Sequence, residues 1–279
     1  MPIVLDTVAA LRRWREFERN AGRRVGLVPT MGALHRGHTS LVEAVRAKAD
    51  SVVASIFVNP TQFAPTEDFS KYPRTFEADL EKLSQVGCEA VFAPGVAEMY
   101  PQGFATSVIP EGPAKVGLED AFRPTHFAGV ATVVSKLLLQ ALPDVAIFGE
   151  KDFQQLAVIR HVTRDLDIPV EIMGGETIRE SDGLAMSSRN VYLSGEERKT
   201  AVLISKVLRE AGAAVRAGAA HEGIIAAGVA RLAAAGFAVD YLAIRDAQTL
   251  AVPQGGAEGL RILVAAKLGK TRLIDNMAV

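Results

Sequence analysis

Cysteine and aromatic residues are scarce in this chain, and its charges of opposite sign nearly cancel. One cysteine among 279 residues excludes an intrachain disulfide and a cysteine-rich metal site. The 31 basic and 32 acidic residues leave a net charge of −1, which argues against nucleic acid or a membrane surface as a partner. No basic-then-apolar leader opens the chain, and no apolar run reaches membrane-spanning length. We therefore expect a soluble globular protein of the cytoplasm.

Hydrophobic residues, in contrast, are plentiful enough for a large core. They make up 49% of the chain, and the mean hydropathy is +0.18. At 279 residues the chain exceeds the usual size of one domain. The composition changes after Gly174 and Gly175, which predicts a larger domain over residues 1–175 and a smaller one over residues 176–279. Cys88 is expected to pack as a small apolar residue beside a strand.

Short apolar runs alternate with amphipathic segments through the first 175 residues. The predicted strands are residues 25–28, 51–58, 90–93, 145–148 and 168–173. The predicted helices are residues 7–20, 39–49, 76–85, 125–140 and 153–165. Residues 95–125 are rich in glycine and proline and are expected to form a long loop with one or two short strands. This alternation predicts an α/β fold with a doubly wound parallel sheet.

The last hundred residues follow a different pattern. A polar connector, residues 177–190, precedes two alanine-rich predicted helices at 196–217 and 221–235. Two strand-like runs follow at 238–244 and 260–266, and then a tail at 271–276. This order indicates a small α+β domain.

The stretch from Arg24 to His38 has the strand–turn–helix pattern of a phosphate site. It nearly matches the P-loop, since Gly32, Gly37 and Thr39 fit, but His38 stands where the lysine belongs. We interpret the run from His35 to His38 as the H-x-G-H signature of nucleotidyltransferases. On this stretch alone, an ordinary turn with two exposed histidines explains the pattern equally well.

Three further polar clusters are predicted at strand ends or on the connector: residues 59–62, 149–155 and 186–189. Each has a simple alternative, such as a solvated lysine at position 151 or an N-cap serine at position 187. The position that the clusters share is more informative than any one of them. Open α/β sheets bind ligands beyond the carboxyl ends of their strands, so polar clusters at those ends indicate a binding site.

Five ordered motifs carry a resemblance that covers nearly the whole chain. They are P-T-M-G-A-L-H-R-G-H (29–38), S-I-F-V-N-P-T-Q-F (55–63), Y-P-R-T (72–75), F-G-E-K-D-F-Q-Q-L (148–156) and D-G-L-A-M-S-S-R-N (182–190). On these motifs the chain resembles the pantothenate synthetase (pantoate–β-alanine ligase) family. The resemblance implies a Rossmann-like fold with the C-terminal domain as a lid. It also implies that pantoate and ATP form pantoyl adenylate and pyrophosphate, after which β-alanine yields pantothenate and AMP.

The resemblance also assigns roles to particular residues. It implies ATP contacts from two groups of residues and from the backbone of Ile178. The first group is Met31, Gly32, Ala33, Leu34, His35, Arg36, Gly37 and His38; the second is Gly149, Glu150, Lys151, Asp152, Met186, Ser187, Ser188 and Arg189. His38 would be the proton donor, and His35, Lys151, Ser187, Ser188 and Arg189 would act on the phosphates. Gln62 and Gln155 would hold pantoate, and Gln62 would also touch β-alanine.

ATP and Mg²⁺ are the expected cofactors, and a homodimer is the implied assembly. Ala78 departs from the acidic pair of some family members, so Asp79 is the best candidate to bind magnesium or to support its ligands. We expect His126, His161 and His221 to be structural.

Two rival functions are a nucleotidyltransferase that leaves the nucleotide on its product and a non-catalytic nucleotide-binding regulator. Release of AMP upon addition of an amine would separate the ligase from the first rival, and turnover would separate it from the second.

Overall fold

Six parallel strands form the sheet of the N-terminal part of the chain. They are β1 (Ile3–Leu5), β2 (Val25–Thr30), β3 (Ser51–Ile56), β4 (Ala90–Phe92), β5 (Val145–Gly149) and β6 (Glu171–Gly175). The computed structural model, which describes residues 1–63, 69–254, 256 and 258–279, orders them β1-β4-β3-β2-β5-β6. Every neighbouring pair is parallel. The predicted Rossmann-like, doubly wound α/β class is therefore confirmed.

Helices cover both faces of this sheet. The helices of the described residues are α1 (Val8–Asn20), α2 (Arg36–Val45), α3 (Phe76–Gln85), α4 (Val96–Met99), α5 (Glu119–Phe122), α6 (His126–Ala141), α7 (Phe153–Asp165), α8 (Gly195–Ala201), α9 (Leu203–Arg216) and α10 (His221–Ala234). Apolar residues of α1, α6 and α7 pack on one face, and those of α2 and α3 pack on the other. None of the helices in the described residues is long and apolar enough to cross a membrane.

The burial of both faces explains why the strands read as continuous apolar runs. Along β2, Leu27 packs in the cluster with α1, α6 and α7, whereas Val28 packs in the cluster with α2 and α3. Successive strand residues point to opposite faces, so both must be apolar when helices cover both faces. Cys88 belongs to the second cluster, and burial raises the pKa of its thiol to about 12. It therefore packs as an inert apolar residue, as predicted.

A separate antiparallel sheet forms the C-terminal part. Its strands are β7 (Phe237–Asp246), β8 (Leu260–Leu268) and β9 (Thr271–Ala278), in that order. Helices α9 and α10 cover one face and share a buried apolar cluster with the strands. This arrangement confirms the expected smaller α+β unit.

The two parts meet in a packed junction. Leu118 and Phe153 of the first part lie in one buried cluster with Ala243, Leu250 and Leu263 of the second. Two ion pairs cross the same junction: Arg272 bonds Glu119 at 2.7 and 2.9 Å, and Arg261 bonds Glu150 at 2.8 Å. The C-terminal part is therefore fastened to the sheet near β5 and α7.

Several sequence predictions were wrong in detail. Strand β1 was missed, and residues 95–125 contain α4, α5 and a 3₁₀ turn at Gly112–Ala114 in place of short strands. The expected tail at 271–276 belongs to β9, which pairs with β8 through a turn at Gly269 and Lys270. The helix predicted at 196–217 is divided at Val202 into α8 and α9. Helix α2 begins at Arg36 because His35 caps it.

Candidate active site

The candidate site lies where the chain changes direction within the sheet. Strands β2 and β5 are neighbours, and the chain continues from β2 towards β3 but from β5 towards β6. Loops leaving such a pair diverge, so a crevice opens beyond their carboxyl ends. A cavity of about 220 Å³ lies there, beside Thr30 at the end of β2 and Gly149 at the end of β5. A larger cavity of about 790 Å³ adjoins it and shares Arg123, Lys151 and Arg189 as lining residues.

Two backbone hydrogen bonds fix the rings of His35 and His38 at the start of α2. The N–H of Gly37 donates to His35 Nδ1 at 3.1 Å, and the N–H of His35 donates to His38 Nδ1 at 3.2 Å. Because Nδ1 is the acceptor in each neutral ring, Nε2 carries the proton. The ring centroids are 4.1 Å apart, and both residues line the cavity. The motif therefore offers two N–H donors at one place.

Burial and nearby cations keep both histidines neutral. Burial, Lys151 and Lys82 together lower the pKa of His35 from 6.5 to about 4. Burial, His35, Lys151 and Lys82 lower the pKa of His38 to about 3. Both rings are thus hydrogen-bond donors without charge near neutral pH. An imidazole in this state suits a site in which lysine and arginine already supply the positive charge.

Asp79 stabilises the loop between β2 and α2. Its two carboxylate oxygens accept hydrogen bonds from the N–H groups of Ala33 and Leu34 at 2.9 and 2.8 Å. Gly32 and Ala33 have φ angles of 82° and 51°, so this turn needs such support. Asp79 is fully buried and does not line the cavity. Asp79 therefore holds the turn, and its predicted part in binding magnesium or supporting its ligands stays a prediction.

The loop itself contributes fewer cavity contacts than the sequence implied. Met31, His35, Gly37 and His38 line the cavity, whereas Gly32, Ala33, Leu34 and Arg36 do not. The N–H groups of Ala33 and Leu34 point to Asp79, and Arg36 pairs with Glu43 at 2.7 Å. The predicted ATP contacts of residues 31–38 stay a prediction, and the side chains that face the cavity are those of Met31, His35 and His38.

The turn after β5 brings Lys151 to the opposite side of the crevice. Residues Glu150–Asp152 form one 3₁₀ turn, and Gly149, Lys151 and Asp152 line the cavity. The side-chain N–H groups of Asn276, on β9, donate to the carbonyl oxygens of Glu150 and Lys151 at 2.8 Å each. The Glu150 side chain bonds Arg261 and does not line the cavity. The C-terminal sheet therefore positions the turn that carries Lys151.

The two glutamines line the same cavity from separate elements. Gln155 lies on α7, and Gln62 ends a 3₁₀ turn at Pro60–Gln62, just beyond β3. Asn59 Nδ2 donates to Gln62 Oε1 at 3.1 Å, which fixes Gln62 Nε2 as the donor end of the amide. The turn packs closely on α6, because a Cβ added at Gly129 would lie 2.5 Å from the Thr61 carbonyl oxygen.

The connector completes the cavity. Ser187 Oγ accepts the N–H of Arg189 at 3.2 Å and caps a 3₁₀ helix at Ser188–Tyr192. The N–H of Met186 donates to the carbonyl oxygen of Ile178 at 2.9 Å. As a result Ile178 and the four residues from Met186 to Arg189 all line the cavity. Ser188 Oγ also lies 3.2 Å from the hydroxyl of Tyr72.

Comparison with known proteins identifies the family. A family model described as pantoate-beta-alanine ligase matches residues 3–278. Pantothenate synthetase 2 of Bradyrhizobium diazoefficiens is 57% identical over 100% of this chain and 99% of its own. The crystal structure of pantothenate synthetase from Thermus thermophilus has a TM-score of 0.93 at 48% identity, covering 99% of each chain.

The chain belongs to the pantoate–β-alanine ligase family. It is an enzyme that joins pantoate to β-alanine, and the resemblance seen in the sequence is confirmed. A third relative bears on ligands. The Francisella tularensis pantoate-beta-alanine ligase, complexed with beta-gamma ATP and β-alanine, has a TM-score of 0.83 at 31% identity over 100% of this chain and 98% of its own.

Residues of the ligase cavity that the sequence reasoning missed come mainly from α6 and the segment before it. Arg123, Glu176 and Thr177 were not singled out, and His126 was expected to be structural. His126 is buried, and its Nδ1 lies 3.0 Å from the carbonyl oxygen of Gln62, so it does support a cavity residue. His161 is 2.9 Å from Asp165, and neither it nor His221 lines the cavity. The polar run F-R-P-T-H before an apolar helix was the available signal.

Proposed function

We propose that this cavity makes pantothenate from pantoate, ATP and β-alanine in two steps. The carboxylate of pantoate attacks the α-phosphorus of ATP, which gives pantoyl adenylate and releases pyrophosphate. The amine of β-alanine then attacks the acyl carbonyl carbon, which gives pantothenate and releases AMP. The observation that carries this proposal is the meeting of phosphate-binding side chains and neutral amides in one cavity at the β2–β5 edge. The Francisella relative, complexed with beta-gamma ATP and β-alanine, supports it.

The phosphate side of the cavity combines charge with neutral donors. Lys151 and Arg189 supply positive charge, and His35 and His38 supply Nε2–H donors. Ser187 and Ser188 lie on the connector beside them. Donors held in place before the reaction stabilise charge that develops on the α-phosphate and on the departing pyrophosphate. Adenylate formation needs no covalent enzyme intermediate, so no nucleophilic side chain is required.

His38 acts in this scheme as a hydrogen-bond donor. Its pKa of about 3 leaves the ring without an extra proton to transfer in the free enzyme. A bound triphosphate would raise that pKa, because negative charge favours the imidazolium form. The sequence predicted that His38 is a proton donor. We propose instead that its Nε2–H group donates a hydrogen bond to a phosphate oxygen and keeps its proton.

The pantoate side is neutral and apolar. Gln62 and Gln155 can bond the hydroxyl and carboxylate oxygens of pantoate without the charge that would reduce the nucleophilicity of its carboxylate. Val130, Val133, Val134 and Leu137 of α6 line the same cavity and offer an apolar wall to the two methyl groups of pantoate. In this proposal the carboxylate of pantoate lies between the amides and the phosphate-binding residues.

The residues of this site fit a magnesium ion that is bound together with ATP. Among the described residues no group of three or more histidine, cysteine, aspartate or glutamate side chains could hold a metal ion. Asp152 and Glu176 are the carboxylates of the cavity, and Asp152 belongs to the same turn as Lys151. Magnesium commonly binds substrate phosphates, waters and one or two carboxylates. We propose Asp152, which lines the cavity, as a protein ligand of magnesium, with Asp79 supporting the neighbouring loop; bound magnesium would neutralise phosphate charge.

Three further expectations stay predictions. They are the domain boundary near residue 175, assembly as a homodimer and a location in the cytoplasm. The boundary is supported by the separate apolar clusters of the two sheets.

Pyrophosphate exchange tests the two-step order. With pantoate and ATP but no β-alanine, the enzyme should transfer label from pyrophosphate into ATP, because adenylate formation precedes amide formation. Without pantoate, label should not be transferred. Exchange that requires β-alanine would contradict the adenylate intermediate. AMP released only when β-alanine is added would also exclude a plain nucleotidyltransferase and a regulator without activity.

A further inference from the structure

The side-chain amide of Gln62 has a donor end and an acceptor end, and the end that faces the cavity decides which substrate atoms it can bind. Asn59, which is 1% exposed, fixes this choice. Its Nδ2 donates to Gln62 Oε1 at 3.1 Å and to the carbonyl oxygen of Gly129 at 3.3 Å. A backbone carbonyl oxygen can only accept, so the Nδ2 end of Asn59 must lie on this side. Gln62 Oε1 is therefore turned towards Asn59, and Gln62 Nε2 is left to donate.

The opposite end of the Asn59 amide is surrounded by donors. Its Oδ1 accepts the hydroxyl of Tyr100 at 2.8 Å, the hydroxyl of Thr61 at 3.0 Å and the N–H of Thr61 at 3.3 Å. Rotation of the amide by 180° would set Nδ2 against the N–H of Thr61 and leave these donors without their acceptor. The contact with Tyr100 is the shortest of the three. The Tyr100 hydroxyl therefore helps to hold Asn59 in the orientation that Gln62 requires.

Tyr100 reaches this turn from a distant part of the chain. It directly follows α4 and is 41 residues beyond Asn59. Its ring packs against those of Phe104 and Phe57, with centroid distances of 5.2 and 6.2 Å. Because these contacts already hold the ring, its hydroxyl meets Asn59 with little further loss of side-chain entropy. Tyr100 itself does not line the cavity, whereas Asn59 and Gln62 do.

The donor end of Gln62 has a weak partner in the free enzyme. Gln62 Nε2 lies 3.1 Å from Met31 Sδ, and a thioether sulfur is a poor acceptor. A carboxylate oxygen is a much stronger acceptor, so pantoate can take the place of this contact with a net gain. An amide turned the other way would present Oε1 to the substrate carboxylate, and two acceptors would then face each other.

From this arrangement we infer that Tyr100 is a positioning residue for pantoate, which acts through Asn59 to keep Gln62 Nε2–H directed at the substrate carboxylate. The inference rests on the proposed function, in which Gln62 holds pantoate. It gives a part in substrate binding to a residue that lies outside the cavity and outside the five sequence motifs.

The test removes the Tyr100 hydroxyl and keeps its ring. In Tyr100→Phe the KM of pantoate in pyrophosphate exchange should rise about 2- to 10-fold, as expected for loss of one hydrogen bond. The KM of ATP and the kcat of exchange at saturating pantoate should stay within about twofold of wild type. Thermal unfolding checks that the variant, which retains the packing on Phe57 and Phe104, is folded at the assay temperature. Tyr241→Phe is the matched control and should keep the pantoate KM, because Tyr241 also donates from its hydroxyl at 2.8 Å, to Glu119, but does not line the cavity that holds Gln62.

A second background separates positioning from a purely structural role. In Gln62→Ala the amide is absent, so the addition of Tyr100→Phe should change the pantoate KM by less than about twofold. An unchanged pantoate KM in Tyr100→Phe overturns the inference. An equal rise with and without the Gln62 amide also overturns it, because Tyr100 would then act on the fold or on another contact. Absence of pantoate-dependent exchange in the wild-type enzyme would instead contradict the two-step reaction and is distinguishable from both results.

Discussion

His35 and His38 are the residues at which burial most changes the chemistry. The folded enzyme keeps both rings neutral down to about pH 4 and about pH 3, whereas the unfolded chain takes up protons near pH 6.5. Between these values the unfolded state binds more protons, so the free energy of unfolding falls as the pH is lowered from about 6.5 towards 4. Each histidine contributes a slope of up to about 1.4 kcal/mol per pH unit.

Urea unfolding at pH 7, 6 and 5 checks this expectation. The double variant His35→Asn/His38→Asn should lose a large part of the decline in stability between these pH values, because asparagine does not titrate. His221→Asn, at the start of α10 and outside the cavity, is the control and should keep the slope of the wild type. A double variant with an unchanged slope would contradict the neutral state assigned to the two rings.

Lys151 and His38 should each matter for adenylation. Lys151→Ala removes charge and His38→Ala removes an N–H donor from the phosphate side of the cavity. We expect each to slow adenylate formation by roughly 10²–10³-fold, the usual loss for one preorganised donor. Single-turnover measurement of adenylate formation checks this. Lys48→Ala, at an exposed pair with Glu171, is the control. Rates for His38→Ala or Lys151→Ala within about threefold of wild type would show that the residue does not contact the phosphates.

Sequence reasoning at this scale found the residues that occur in compact motifs. His35, His38, Lys151 and Arg189 all line the cavity, and their neighbours in the chain indicated them. Arg123 was missed, and the contacts of Asp79 were not foreseen, because the partners of both residues lie far away in the chain. Asp79 binds the backbone of Ala33 and Leu34, and Arg123 meets Gln62. Such contacts exist only after the sheet has formed.

Helix α6 shows how one element shapes the site through close packing. Gly129 faces the turn at Pro60–Gln62, and an added Cβ would lie 2.5 Å from the Thr61 carbonyl oxygen and 2.8 Å from Gln62 Cα. The atoms that an added Cβ would meet belong to the backbone of Thr61 and Gln62, so the turn itself must shift to make room. Gly129→Ala should therefore displace Gln62 and raise the KM of pantoate by roughly tenfold, while adding an alanine that helices otherwise favour.

Steady-state kinetics and thermal unfolding of Gly129→Ala separate these effects. Gly223→Ala, in α10, is the matched control, since a Cβ there would meet nothing within 4 Å. The control should keep the pantoate KM of the wild type. If Gly129→Ala also keeps it, the turn has room to adapt and α6 does not set the position of Gln62.

The elements themselves were predictable where burial dictates their sequence. Strands β2, β3 and β5 are covered on both faces and appear as unbroken apolar runs. Strand β1 has three residues, too few for any pattern, and exists because it pairs with β4. The segment between β4 and α6 was expected to contain strands, but it forms the short helices α4 and α5. Local periodicity is weak in that segment, and tertiary contacts decide its structure.

At the scale of the whole molecule, the sequence predicted two units but not how they cooperate. Glu150 pairs with Arg261, and Glu119 pairs with Arg272, across sequence separations that no local pattern reveals. These contacts, with the buried cluster around Phe153 and Leu263, fasten β8 and β9 to the carboxyl edge of the parallel sheet. The C-terminal unit therefore fixes the turn that carries Lys151, and its predicted role as a lid stays a prediction.

Asn276 offers a direct test of that role. Its side chain donates to the carbonyl oxygens of Glu150 and Lys151 and accepts Arg261 Nε at 2.6 Å. Asn276→Asp keeps an acceptor for Arg261 but removes both donors, and Asn276→Ala removes all three bonds. Loss of two hydrogen bonds, each about 0.5–1.5 kcal/mol, should slow pantoate-dependent pyrophosphate exchange roughly 5- to 100-fold if Lys151 is displaced. Gln248→Ala, in the exposed turn after β7, should leave exchange unchanged. Wild-type exchange in Asn276→Asp would show that the Lys151 turn holds its position without β9.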